Sequence, residues 1–116
     1  MLLDAPCSGN LIGERDWLQK RDVKGIAQRS VLQRKLLQKA SELVKIEGVL
    51  IYSTCSLEIE ENEENVEWFL KNSKLKSFKT RFKFPFETNP TKKQDSLRFM
   101  PQRSKTQGFF VCLFRN

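Results

Sequence analysis

The stretch LIYSTCSLEIEENEENV, residues 50–66, decides how the chain folds. Together with Gly48 and Val49 it opens on a near-continuous apolar run rich in β-branched and aromatic residues, which closes on Ser53-Thr54-Cys55. Such a run predicts a strand covered on both faces. Glu60-Glu61-Asn62-Glu63-Glu64 then predict the start of a helix whose core face is Val66, Phe69 and Leu70. Acidic residues in its first turns suit the positive end of the helix dipole. A cysteine is thereby left at a strand end, just before a helix.

Working upstream, Ile26, Leu32, Leu36, Leu37, Ala40, Leu43 and Val44 recur at helical spacing, which predicts a helix from Ile26 to Val44. Lys45 to Gly48 end it, with Gly48 as the C-terminal stop. Before it, ERDWLQKRDVKGIAQRS reads as loop and short helix, and MLLDAP as a short buried strand that Ala5-Pro6 stop after Asp4. Cys7-Ser8-Gly9-Asn10 is turn chemistry.

Downstream, LKSFKTRFKFPF alternates apolar and basic residues, as a half-exposed strand with Phe78, Phe82 and Phe84 on one face would. ETNPTKKQD reads as a polar loop, and Phe109 to Arg115 as a last strand. The phenylalanines serve as core or as a stacking surface, and their strand-like alternation favours core. Strand, helix, strand, helix, strand, strand is part of an α/β sheet. Ligands of such sheets bind beyond the carboxyl ends of the strands. Asp4-Ala5-Pro6-Cys7 and Ser53-Thr54-Cys55 both lie at carboxyl ends, so neighbouring parallel strands would bring both thiols to one crevice.

Bulk properties narrow the class. At 116 residues one small domain is expected. No run of about 18 apolar residues predicts a membrane span, and no basic n-region precedes an apolar stretch as in a signal peptide. Cys7, Cys55 and Cys112 have no close spacing and histidine is absent, which argues against a zinc or other metal site. Reduced thiols and a cytoplasmic location are the simplest expectation. Charge is uneven: residues 1–70 hold 9 Lys+Arg against 12 Asp+Glu, and residues 71–116 hold 12 against 2. The second half is therefore either a surface for a polyanion or a solvated basic face.

A thiolate is a soft nucleophile, and its pKa falls beside positive charge or at a helix N-terminus. The helix beginning near Glu58 would help Cys55, while the neighbouring glutamates oppose it. Alone, Cys55 reads better as a buried structural residue than as a nucleophile; paired with Cys7 at the matching topological position, it points to function. Cys112, inside an apolar strand, reads as packing.

LLDAPCSG and LIYSTCSLEIEENE together resemble two signature motifs of the Nop/Sun (RsmB-type) RNA cytosine-5 methyltransferases. The helix LQRKLLQKASELVKIEGVLIYSTCS and the ending RFMPQRSKTQGFFVCLFRN resemble that family's later motifs, so the resemblance covers nearly the whole chain. It implies the C-terminal part of a Rossmann-like, S-adenosylmethionine-dependent methyltransferase sheet. It further implies that Cys55 attacks carbon 6 of a target cytosine in tRNA or rRNA. Cys7 would help remove the carbon 5 proton and release the enzyme. Asp4 would face the cofactor and the polar edge of the base, and Pro6 would shape the turn that places Cys7. The basic second half would hold the RNA backbone.

Several family features have no counterpart. The glycine-rich PGGKT cofactor loop is absent, as are the strands that hold ribose and adenine; Pro101-Gln102 stands in place of Pro-His, and Gln107 where an acidic residue often precedes Gly-Phe-Phe. The expectation is a partial catalytic domain over residues 1–116, beginning at the fourth strand of the family sheet. A complementing N-terminal half would be its partner. A non-catalytic RNA-binding remnant is the alternative, and a thiol redox protein a third reading that nothing else in the chain supports.

Overall fold

The computed structural model describes residues 1–79, the backbone of 87–88, and 95–116. Along these residues run β1 (Leu2–Asp4), α1 (Trp17–Lys20), α2 (Val23–Leu43), β2 (Val49–Thr54), α3 (Glu63–Asn72), β3 (Lys76–Ser77), β4 (Glu87–Thr88), β5 (Ser96–Phe99), α4 (Pro101–Ser104) and β6 (Phe109–Arg115). One mixed sheet has the order β1-β2-β6-β5-β4, with β3 also paired to β6. Strand β1 is parallel to β2, with Asp4 opposite Ser53, and α2 makes the crossover that a parallel pair requires. Strand β6 is antiparallel to β2, with Tyr52 opposite Cys112. No helix among the described residues is long and apolar enough to cross a membrane.

Alternation along the strands decides where the core lies. Leu50, Tyr52 and Thr54 stand beside Phe114, Cys112 and Phe110, and all six are buried. Leu37, Ala40 and Val44 come from α2 and its C-cap, and Val66 and Phe69 from α3. The Phe69 and Phe114 rings meet edge to face with centroids 4.8 Å apart, a geometry favoured by the ring quadrupoles. Val49, Ile51, Val111 and Leu113 on the other face are only half-buried. The expected two-sided cover of β2 is therefore corrected to a core on one face. At the sheet edge β1 leaves Leu2 66% exposed.

Helix α2 begins earlier than its apolar spacing predicts, because the Asp22 side chain accepts hydrogen bonds from the amides of Lys24 (3.1 Å) and Gly25 (2.9 Å). This is an N-cap. Its buried stripe is Ile26, Ser30, Gln33, Leu37 and Ala40, whereas Leu32 and Leu43, expected on the core face, are exposed. The helix ends at Leu43 with Val44 already extended. Glu47 takes the left-handed turn (φ 59°), and Gly48 is needed for a different reason. A Cβ there would lie 2.7 Å from the Lys45 carbonyl oxygen.

The strand expected through LKSFKTRFKFPF is represented among the described residues by Lys76–Ser77 alone. Phe78 follows, with the Arg115 guanidinium 4.8 Å from its ring centroid. Phe82 and Phe84 lie outside the described residues, as do Lys92 and Lys93 of the expected loop. Within that loop, Glu87 and Thr88 pair with Phe99 and Arg98 as strand β4. Strand β5 was not expected, because its pattern is inverted: Ser96 and Arg98 are buried while Leu97 and Phe99 are half-exposed. Arg98 tolerates burial through a two-point pairing with Glu63, Nε to Oε1 at 2.9 Å and a second bond to Oε2.

Candidate active site

Both cysteines stand where the parallel pair ends. The Ala5 amide still donates to the Ser53 carbonyl (2.9 Å), so the two chains leave the sheet side by side. Cys7 Sγ and Cys55 Sγ lie 2.8 Å apart, one thiol donating to the other. Burial first, and then the hydrogen bond and charge of Cys7, push the Cys55 thiol up to about 12. The helix dipole expected to lower it is not positioned to do so, because α3 starts at Glu63 rather than near Glu58. Cys112 sits apart, buried in β6, and burial pushes its thiol up as well.

The thiols open onto a cleft of about 530 Å³ lined by Asp4, Pro6, Cys7, Cys55 and Phe109 among others. Asp4 is exposed and its Oδ1 accepts from Ser53 Oγ at 2.7 Å. Pro6 is held from behind, its carbonyl accepting from Gln33 Nε2 at 2.8 Å. The predicted residues Asp4, Pro6, Cys7 and Cys55 therefore share one opening. A second cleft of about 410 Å³ adjoins Cys7 on the other side, beside Trp17, Lys20, Arg21 and Arg29. Trp17 Nε1 donates to the Ser8 carbonyl (2.8 Å), which ties α1 to the Cys7 turn. Gly9, with φ 72°, supplies the left-handed step that closes this turn.

Beneath the thiols lies a polar cluster that the sequence reading missed. Gln33, Glu61, Asn62 and Asn65 are all fully buried. Asn62 accepts from Thr54 Oγ1 (2.5 Å) and donates to the Ser56 carbonyl (2.8 Å), fixing the turn that carries Cys55. Asn65 donates to Gln33 Oε1 (2.7 Å) and accepts from Ser30 Oγ (2.7 Å) and Arg34 Nε (2.8 Å). Tyr52 OH donates to the Glu61 carbonyl (2.6 Å). Asn10 Nδ2 reaches across from the Cys7 turn to the Cys55 carbonyl (2.7 Å). The acidic run expected to open the helix therefore lies partly before it, since α3 starts at Glu63, and Glu61, Asn62 and Glu63 are buried. A usable signal existed: Glu61, Asn65 and Phe69 recur four apart, on the face that buries Val66 and Phe69.

Among the described residues, no group of three or more His, Cys, Asp and Glu is arranged to hold a metal ion. The cleft does fit one end of a small cationic cofactor, since an exposed carboxylate and two sulfurs face it.

A family model described as 16S rRNA methyltransferase RsmB/F matches residues 1–115. The chain belongs to this family. A human relative, tRNA (cytosine(72)-C(5))-methyltransferase NSUN6, is 51% identical over 60% of this chain and 15% of its own length. The tRNA (cytosine(72)-C(5))-methyltransferase of Pyrococcus horikoshii is 34% identical over 99% of this chain and 28% of its own. The crystal structure of NSun6 from Pyrococcus horikoshii with SFG superimposes with a TM-score of 0.84 at 34% identity, covering 98% of this chain and 29% of that one. The α/β sheet is thus the sheet of the family's methyltransferase domain, of which this chain spans a part.

Proposed function

We propose that these 116 residues form the thiol-bearing part of an S-adenosylmethionine-dependent RNA cytosine-5 methyltransferase catalytic domain, acting on tRNA or rRNA in the cytoplasm. The observation that carries the proposal is the convergence of Cys7 and Cys55, 2.8 Å apart, on a cleft beyond the ends of two parallel strands. Family membership and the RNA cytosine methyltransferases among its relatives support it.

In this reading Cys55 Sγ adds to carbon 6 of a cytosine that has left its stack. The addition makes carbon 5 electron-rich. When bound, S-adenosylmethionine supplies an electrophilic methyl group. Asp4 would face its cationic end and the polar edge of the base, and Pro6 would hold the turn that aims Cys7. Cys7 then takes the carbon 5 proton, and the bond between Cys55 and carbon 6 breaks as the ring double bond re-forms. Because Cys55 holds its proton strongly in the resting site, attack requires that proton to be removed as the base arrives. The remaining cofactor contacts belong to the part of the domain that these residues do not span, and a complementing N-terminal half is the proposed partner. The excess of basic residues after position 70 would track the phosphate backbone.

The test is a denaturing gel of protein with labelled RNA, adenosylmethionine and the cofactor-binding half of a relative. Cys55→Ser should form no adduct and transfer no methyl group, since a hydroxyl is far less ionised than a thiol. Cys7→Ser should accumulate a slow-migrating adduct, because elimination stalls. Adduct surviving Cys55→Ser and lost with Cys7→Ser would reverse the roles. No adduct from the parent or either variant would make the chain a non-catalytic RNA-binding remnant.

A further inference from the structure

We infer that Glu61 is the positioning residue that holds Cys7 and Cys55 as a single unit, an inference that rests on the methyl-transfer reading for its purpose. Glu61 is fully buried, and its carboxylate touches the neighbour of each thiol. The Ser8 amide, directly after Cys7, donates to Oε2 at 3.1 Å and Oε1 at 3.3 Å. Ser56 Oγ, directly after Cys55, donates to Oε1 at 3.2 Å. Gln33 Nε2 donates to Oε2 at 2.7 Å and also to the carbonyl of Pro6, just before Cys7, at 2.8 Å. The Ser8 and Ser56 hydroxyls themselves lie 3.2 Å apart.

A buried carboxylate is costly unless its oxygens are filled with donors. Here those donors come from both cysteine turns and from α2. Only a group with two acceptor oxygens can take an amide, a hydroxyl and a side-chain amide at once. Glutamine keeps the size but turns one oxygen into a donor, which either opposes the Gln33 NH₂ or, in the place of Oε1, reverses the Ser56 bond and gives up the second contact with the Ser8 amide. Aspartate keeps both oxygens but is a methylene short.

Glu61 therefore joins the Asn10 bond to the Cys55 carbonyl in tying the two turns, and its loss should loosen the contact between the sulfurs. This is read with phenylarsine oxide, which bridges two adjacent thiols through two As–S bonds with loss of water, and with iodoacetamide alkylation mapped by mass spectrometry. Cys112, fully buried, reports unfolding in the same sample. Glu61→Gln should weaken arsenical binding about tenfold or more, on the scale of other second-layer supports. It should also move the alkylation profile of Cys55 to lower pH, since the hydrogen bond from Cys7 helps to raise that thiol. Glu61→Asp should recover part of both, and Cys7→Ser gives the baseline for a lone thiol. Parent-like affinity and profile in Glu61→Gln with Cys112 still protected would overturn the inference. If Glu61→Gln exposes Cys112, Ser56→Ala decides. It removes the donor to Glu61 beside Cys55, together with the contact to Ser8 Oγ and the acceptor of the Glu58 amide (3.0 Å), and should weaken arsenical binding about two- to fivefold; no change would overturn the inference. None of these measurements uses RNA. A negative result leaves the methyl-transfer reading standing, and a failed RNA adduct leaves the thiol geometry standing.

Discussion

The apolar cluster of Leu37, Leu50, Phe69, Phe110 and Phe114 and the polar cluster of Gln33, Glu61, Asn62 and Asn65 are buried equally, each residue at 0% exposure. The first gains stability in proportion to the area it removes from water and tolerates small shifts in its members. The second costs several kcal/mol wherever a donor or acceptor goes unmet, so its geometry is nearly all-or-none. Their places differ accordingly. The apolar cluster joins α2 and α3 to β2 and β6, while the polar one sits under the turns that carry the thiols. The contrast teaches that one cluster holds the fold and the other fixes the relative position of Cys7 and Cys55.

Truncating the apolar side should produce the largest effect on stability. Phe69→Ala should cost about 3–5 kcal/mol in chemical denaturation, yet leave arsenical binding by the remaining folded protein at the parent level. A shift in thiol behaviour as large as the loss of stability would mean that the clusters are not separable. The polar side should show the reverse balance. Asn65→Ala should cost about 1–3 kcal/mol, less than Phe69→Ala, because Ser30 Oγ keeps the Glu60 carbonyl as its acceptor. It should nevertheless alter the alkylation profile of Cys55.

Alkaline pH probes both clusters at once. Burial raises Cys55 to about 12 and raises Cys112 and Tyr52 as well. The folded chain then keeps protons that the unfolded chain releases. The stability from Cys55 is fully present below the ordinary thiol value of 9.0 and is lost as pH rises toward about 12. Denaturation midpoints should fall over that window, and Cys112→Ala should flatten the slope more than Cys55→Ser, since Cys112 is the more deeply buried. Equal flattening would place both thiols in equivalent surroundings. The smallest effect belongs to the surface: Lys39 pairs with Glu42 at 2.7 Å but both side chains are over half exposed. Lys39→Ala should therefore change stability by no more than about 0.5 kcal/mol; a larger loss would show that stability is not confined to the two clusters.

Much of the frame was legible in the residues. Strands β2 and β6, the core face of α3 and the meeting of Cys7 with Cys55 follow from apolar periodicity and from the rule that parallel neighbours share their carboxyl ends. The start of α2 was missed because Asp22 acts before the apolar stripe begins. Strand β5 was missed because Arg98 faces inward, which is possible only with Glu63 opposite it. The inward turn of Glu61 and Asn65 shows in the sequence only as their spacing with Phe69, because the partners that satisfy them, Gln33 and Ser8 for Glu61 and Gln33 and Ser30 for Asn65, come from elsewhere in the chain.

By itself, then, the sequence determined the α/β class, the strands that end on the two thiols, and the motifs that place the chain in its family. Only the tertiary structure decided that Cys55 is held as a thiol against Cys7, and that Glu61, Asn62 and Asn65 turn inward. The physical reason is that apolar burial depends on the side chain itself, and so shows as periodicity. Polar burial depends on a partner such as Gln33 or Ser8, which only folding brings within hydrogen-bond reach.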